Sequence, residues 1–236
     1  MMRTRSSILA GGLALILGAI AFLVVFGYLA ARFDYPEVLD GTADTVLPAL
    51  LATGASGRLV WAIYALLPLI WLPAAVGAFD AFRDRAESAV RLGALFATVS
   101  AIAMMLGLMR WPSIHWELAL AYVKAPPAEQ ATLAAVFAGL NRYLGNYIGE
   151  FLGELGFNVF FLLSALAMRK VPAFPRWVSW LGLATAVLGL AGMFRNATTA
   201  VSAVGEVNNY LLPLWMVVFG WALIRYGRRP EPAETP

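Results

Sequence analysis

The sequence predicts an all-α protein, a polytopic transmembrane helical bundle of six spans with both termini cytoplasmic. Three observations lead there. Of 236 residues, 61% are apolar and only 13% charged, and the mean hydropathy is +0.75. A soluble domain runs at about 45–50% apolar and about 25% charged, so these charges are too few to cover a water-facing surface, and disorder requires the opposite composition. The apolar residues also fall in runs close to the about 20 residues that carry a helix across the hydrocarbon. Finally, Lys and Arg are unevenly shared between alternate connections, which is the asymmetry that orients spans.

The first run, Ser7 to Ala31, holds no charge and follows Arg3 and Arg5. It exceeds the about 7–15-residue apolar core of a secretory signal and reads as an uncleaved first helix. The second run is Leu59 to Phe79, with Pro68 and Pro73 inside, and the third is Leu92 to Met109. The fourth lies within Gly149 to Met168, the fifth is Trp177 to Phe194, and the sixth is Val207 to Ile224, with Pro213 inside. Residues 1–227 thus read as one six-span membrane domain, and 228–236, with its prolines, as a disordered cytoplasmic tail.

The connections have their own signals. Arg32 to Gly57 is punctuated by Pro36 and Gly41, with Thr45 to Ala52 as a short surface helix. Ile114 to Val123 reads as an interfacial helix stopped by Pro126 and Pro127. A new helix starts near Pro127, where proline is tolerated and Glu129 suits the positive end of the dipole. From there to Met168 the chain covers about 63 Å at 1.5 Å per residue, roughly twice the hydrocarbon thickness. A bend is therefore expected, at Gly139 to Asn141.

Placing the N-terminus inside gives the inner segments Arg3, Arg5, Arg83, Arg85, Arg91, Arg169, Lys170, Arg176, Arg225, Arg228 and Arg229, eleven of the 17 basic residues. The pI of about 9.4 then reflects topology, and nucleic acid is not an expected partner because no concentrated basic face is legible. Tryptophan favours membrane–water interfaces. Trp61, Trp111 and Trp116 fall at outer ends, Trp177, Trp180 and Trp221 at inner ends, and Trp71 and Trp215 deeper, as packing residues.

With no cysteine and a single histidine, disulfides, thiol catalysis, iron–sulfur clusters and bis-histidine haem are excluded, and no cofactor is expected. Unusual chemistry is confined to one stretch. Arg142, Asn146, Glu150, Glu154 and Asn158 recur every four residues, with Gly145, Gly149 and Gly153 recurring one position earlier. Residues four apart share a helix face, and the glycines make a small-xxx-small pattern that admits a neighbouring backbone. Two carboxylates on adjacent turns repel when both are ionised. That is the chemistry of a proton relay, a cation site or general acid/base catalysis, with Glu150 and Glu154 as the candidates. The plainer reading is a structural polar network neutralised by Arg142 and Arg195. Further partners on the same side are Asn196, Glu206 and Asn208, together with Arg110 and His115. His115 with the two glutamates is a weak metal candidate; a lone histidine beside Trp116, without a spaced ligand motif, reads instead as a surface residue.

Two segments carry a family likeness, Trp111 to Glu117 (Trp-Pro-Ser-Ile-His-Trp-Glu) and Gly139 to Glu150 (Gly-Leu-Asn-Arg-Tyr-Leu-Gly-Asn-Tyr-Ile-Gly-Glu). With the six-span layout, they resemble an uncharacterised family of bacterial multi-pass membrane proteins known only as a domain of unknown function. The likeness covers roughly Phe33 to Ile224. It implies a bacterial inner-membrane location and no established reaction.

Two function classes follow. The first is a non-enzymatic membrane protein, either a small-solute or proton-coupled transporter or an accessory subunit. Its partners would be the lipid bilayer and either a second copy or other membrane helices. Prolines inside the second and sixth spans favour transport, since broken helices build binding sites. The second is an intramembrane enzyme acting on a lipid or isoprenoid substrate through Glu150 or Glu154 as general acid/base.

Overall fold

A computed structural model describes residues 2–229, without the side chains of residues 2–4 and of Asp40. No strand occurs among the described residues. The helices are α1 (Met2–Phe33), α2 (Ala43–Ala52), α3 (Gly54–Leu66), α4 (Trp71–Met109), α5 (Ile114–Tyr122), α6 (Pro127–Leu140), α7 (Gly153–Met168), α8 (Arg176–Gly192) and α9 (Ser202–Gly227). Most of the expected tail, 230–236, lies outside the described residues; Arg228 and Arg229 form the turn that ends α9.

Proline chemistry sets several boundaries. Pro68 cannot donate to the preceding turn and sits in the 3₁₀ turn Leu67–Ile70 that separates α3 from α4. Pro73 falls in the first turn of α4, where its missing N–H costs little. Pro127 opens α6 for the same reason. The bend expected at Gly139 to Asn141 takes another form. The helix runs unbroken from Pro127 to Met168 over 42 residues, but its winding changes from α to π over Asn141–Leu152.

Five segments are long and apolar enough to cross a membrane: Arg5–Phe33, Gly54–Tyr122, Pro127–Met168, Arg176–Asn196 and Thr199–Gly227. The second, at 69 residues, is about three hydrocarbon thicknesses long if helical throughout. It contains both the second and third runs read from the sequence, which lie on either side of Ala86. That residue has non-helical backbone angles, φ −154° and ψ 38°, inside α4.

The chain forms two compact units, Met1–Ala19 with Ile70–Val99 and Leu155–Pro236, and Ile20–Leu69 with Ser100–Glu154. In the first, backbones meet directly. A Cβ on Gly11 would lie 2.7 Å from the Pro73 carbonyl oxygen and 2.9 Å from Gly77 Cα, and one on Gly12 would lie 2.6 Å from the Gly220 carbonyl. The Ser7 hydroxyl donates to the Asp80 carboxylate beside this crossing. An aromatic core fills the interior, with Trp215 stacked on Phe219 at 5.0 Å and Trp71 edge-on to Phe161 at 5.6 Å. Trp71 and Trp215 are both buried, whereas Trp177, Trp180 and Trp221 are exposed.

In the second unit the tryptophans pack inward. Trp61 and Trp111 are fully buried and Trp116 nearly so, in a core with Phe33, Leu47, Leu50 and Phe137. Trp61 and Trp111 stack at 4.9 Å, and Phe33 meets both edge-on. Mutual stacking of rings this large fills this core.

Gly77→Leu should lower the melting temperature in detergent by about 3–10 °C, since overpacking a backbone crossing costs about 1–3 kcal/mol. Gly27→Leu, where an added Cβ meets nothing within 4 Å, should not. Equal melting of the two variants would show that the Gly11–Gly77 crossing carries no stability.

Candidate functional site

The second unit gathers the unusual polar groups around Arg110, whose residue is only 5% exposed. A guanidinium has five N–H donors and cannot shed its charge, so burial requires acceptors nearby. Its Nε donates to Asn141 Oδ1 at 3.1 Å and its Nη1 donates to the Gly107 carbonyl. The guanidinium carbon lies 5.0 Å from the Trp111 ring centroid, over its face. Asn141 passes the connection on, its Nδ2 donating to the Leu39 carbonyl at 2.8 Å. One side chain therefore ties α4, the π segment and the connection between α1 and α2.

Glu150 lies close enough to act electrostatically on Arg110 and on Tyr64. Tyr64 Oη is 3.4 Å from Tyr35 Oη, and the Tyr35 ring sits edge-on to Trp61 and Phe26 at 5.9 and 5.2 Å. The result is a carboxylate, a guanidinium and two phenols within one aromatic shell. Such a set can hold or pass a proton, or bind a small polar group.

The glycines make room for it. A Cβ on Gly145 would fall 2.5 Å from Arg110 Nη2, and one on Gly107 would fall 2.4 Å from Gly149 Cα. A Cβ on Gly153 would meet the Met104 side chain at 2.5 Å. Ser100 reinforces this contact, its buried hydroxyl donating to the Gly153 carbonyl at 2.8 Å.

His115 is where the structure departs most from the sequence reading. It is fully buried rather than at the surface. The chain turns at Ser113, with φ −112° and ψ −99°, and α5 then buries the side carrying His115, Trp116, Leu118 and Ala119. The imidazole lies edge-on to Trp111 at 4.8 Å and against Phe137 at 4.8 Å. Neither ring nitrogen has a hydrogen-bond partner, nor do Nε1 of Trp61 and Trp111. The weak metal candidate does not assemble: among the described residues no three His, Asp or Glu side chains group as metal ligands.

The sequence-predicted polar residues divide between the units. Arg142, Asn146, Glu150 and Glu154 belong to the second; Arg142 is exposed and the other three are half-buried. Asn158, Arg195, Asn196, Glu206 and Asn208 belong to the first, where Asn158 and Asn208 are buried and Glu206 is exposed. Arg195 donates to the Gly192 carbonyl at 3.3 Å. Sequence reasoning missed Tyr35, Tyr64 and Asn141. Asn141 had a signal, because it extends the glycine stripe by one four-residue step; the tyrosines had none.

Asn141→Ala leaves the Arg110 Nε and the Leu39 carbonyl without their partner. It should destabilise the protein by about 1.5–3 kcal/mol, the range for hydrogen bonds to charged groups. Arg142→Ala, one residue along and exposed, should stay within about 0.5 kcal/mol. Unfolding in detergent followed by circular dichroism measures both, and similar values for the two would refute the role given to Asn141.

Comparison with known families gives one match, over residues 10–227, to a family described as a domain of unknown function. No curated protein and no solved structure matches. The matched region takes in every helix from α2 to α9, the whole polar cluster around Arg110 and α1 from Ala10 onward, and the chain belongs to the DUF4386 family.

Proposed function

We propose that this protein is a six-span integral membrane protein of a bacterial inner membrane, with both termini cytoplasmic, and that it couples proton movement to passage of a small solute. The observation that carries this reading is Arg110, 5% exposed inside the apolar Gly54–Tyr122 segment and accompanied by Glu150. Buried ionisable groups in a membrane protein are costly and mark ion, proton or substrate paths. Glu150 supplies a proton acceptor, Arg110 the compensating charge, and the Tyr35–Tyr64 pair a hydroxyl relay beside them. π-wound helix, which carries Glu150, recurs at functional sites. Six spans follow from dividing Gly54–Tyr122 at Ala86, and the orientation from the basic-residue asymmetry.

Two measurements test the reading. Cysteines placed singly at Asp44 and Ala128 should react with an impermeant thiol reagent added outside intact cells, and cysteines at Asp84 and Lys170 should not. Outside labelling at Asp84 would overturn the orientation. In liposomes loaded with a pH dye and given a membrane potential, the wild-type protein should raise proton flux about tenfold over protein-free liposomes. Glu150→Gln, folded by circular dichroism, should return the flux to that of the empty liposomes. Wild-type flux no higher than the empty control, or a variant as active as wild type, would exclude proton passage through Glu150.

A further inference from the structure

The first unit carries a second charged feature, distinct from the Arg110 cluster and independent of the transport reading. Where α7 passes into α8 and where α9 ends, six cations are exposed: Arg169, Lys170, Arg176, Arg225, Arg228 and Arg229. The two segments form one surface. Arg229 Nη2 donates to the Ala173 carbonyl at 2.8 Å, and the Phe174 and Tyr226 rings lie 4.9 Å apart. Exposed tryptophans stand among the cations, at 54% for Trp177, 57% for Trp180 and 42% for Trp221. Trp177 stacks with Trp221 at 6.5 Å, Arg169 lies 4.5 Å over the Trp180 ring, and Arg225 lies 5.4 Å over the Trp221 ring.

The charge on this face is uncompensated by its own segments. No Asp or Glu occurs in 169–180 or 221–229; Glu231 and Glu234 follow in the chain, outside the described residues. Elsewhere in the same unit Arg83 lies 3.3 Å from Asp80, and Arg91 meets Glu87. A guanidinium lying on an indole face keeps N–H groups on its edge, suited to two oxygens of one phosphate. Indoles at headgroup depth are amphipathic anchors in a membrane. Basic groups beside a membrane surface gain about 1 kcal/mol each from anionic lipid.

We propose that this face binds the phosphate headgroup of an anionic phospholipid, with Arg169, Arg176, Arg225 and Arg229 meeting the phosphate and the three tryptophans seating the glycerol and upper acyl carbons. Charge complementarity selects this occupant, since a zwitterionic headgroup brings a second cation to a face that already has six.

The test is native mass spectrometry of the full-length protein in neutral detergent, titrated with phosphatidylglycerol or phosphatidylcholine. Phosphatidylglycerol should be retained about tenfold more than phosphatidylcholine and released by raised salt. The combined variant Arg169→Gln, Arg176→Gln, Arg225→Gln, Arg229→Gln should lose about tenfold in retention, while Arg83→Gln with Arg91→Gln should lose none. Should the combined variant fail to fold by thermal unfolding, Arg169→Gln and Arg225→Gln singly should each lose about threefold. Equal retention of the two lipids would overturn the proposal. So would undiminished retention in the folded variants, equal loss in the Arg83/Arg91 control, or displacement of the lipid by millimolar inorganic phosphate.

Discussion

A buried guanidinium must be given acceptors, and Arg110 imposes that requirement on everything around it. At 5% exposure it has little recourse to solvent, and losing a hydrogen bond to a buried charge costs about 1.5–3 kcal/mol. The second unit meets the requirement with Asn141, the Gly107 carbonyl, the Trp111 face and the nearby charge of Glu150. Each comes from a different part of the chain or a different turn. The position of one charge thereby fixes how α4, the π segment and the connection after α1 meet.

The π winding is the backbone counterpart of that fit. Asn141, Gly145, Gly149 and Gly153 are all buried, at a spacing of four. In an α-helix each such step drifts about 40° around the axis, so three steps carry the stripe off any one contact face. The π winding over Asn141–Leu152 changes that drift, and all four residues of the stripe stay buried. Glycine is required because the facing groups are the Gly107 backbone and the Arg110 guanidinium, with no space for a Cβ.

Composition and apolar run length made the helical membrane-crossing character legible, because crossing a bilayer constrains every residue of a span in the same way. The break near Ala86 was legible as a charged gap between two apolar runs. The glycine and glutamate stripes were legible because they repeat. What escaped was set by contacts distant in sequence. His115 and Trp116 look like a membrane-surface pair, yet His115 is enclosed by Trp111 and Phe137. Trp61 and Trp111 lie at the ends of runs and stack on each other, a contact between distant segments. Tyr35 meets Tyr64 across 29 positions, a pairing that no local pattern announces. Of the stripe from Arg142 to Asn158, Arg142 to Glu154 fall in the second unit and Asn158 in the first.

The account rests on Arg110 and Asn141 acting as one element, and a double-mutant cycle tests that directly. Arg110→Met, Asn141→Leu and the double variant would be unfolded in the same detergent and compared with wild type. Coupling predicts that the double variant costs less than the sum of the singles by at least about 1 kcal/mol, because each single change strands the other partner. Additivity within about 0.5 kcal/mol would contradict the account, leaving the Arg110–Asn141 contact without energetic weight in the fold.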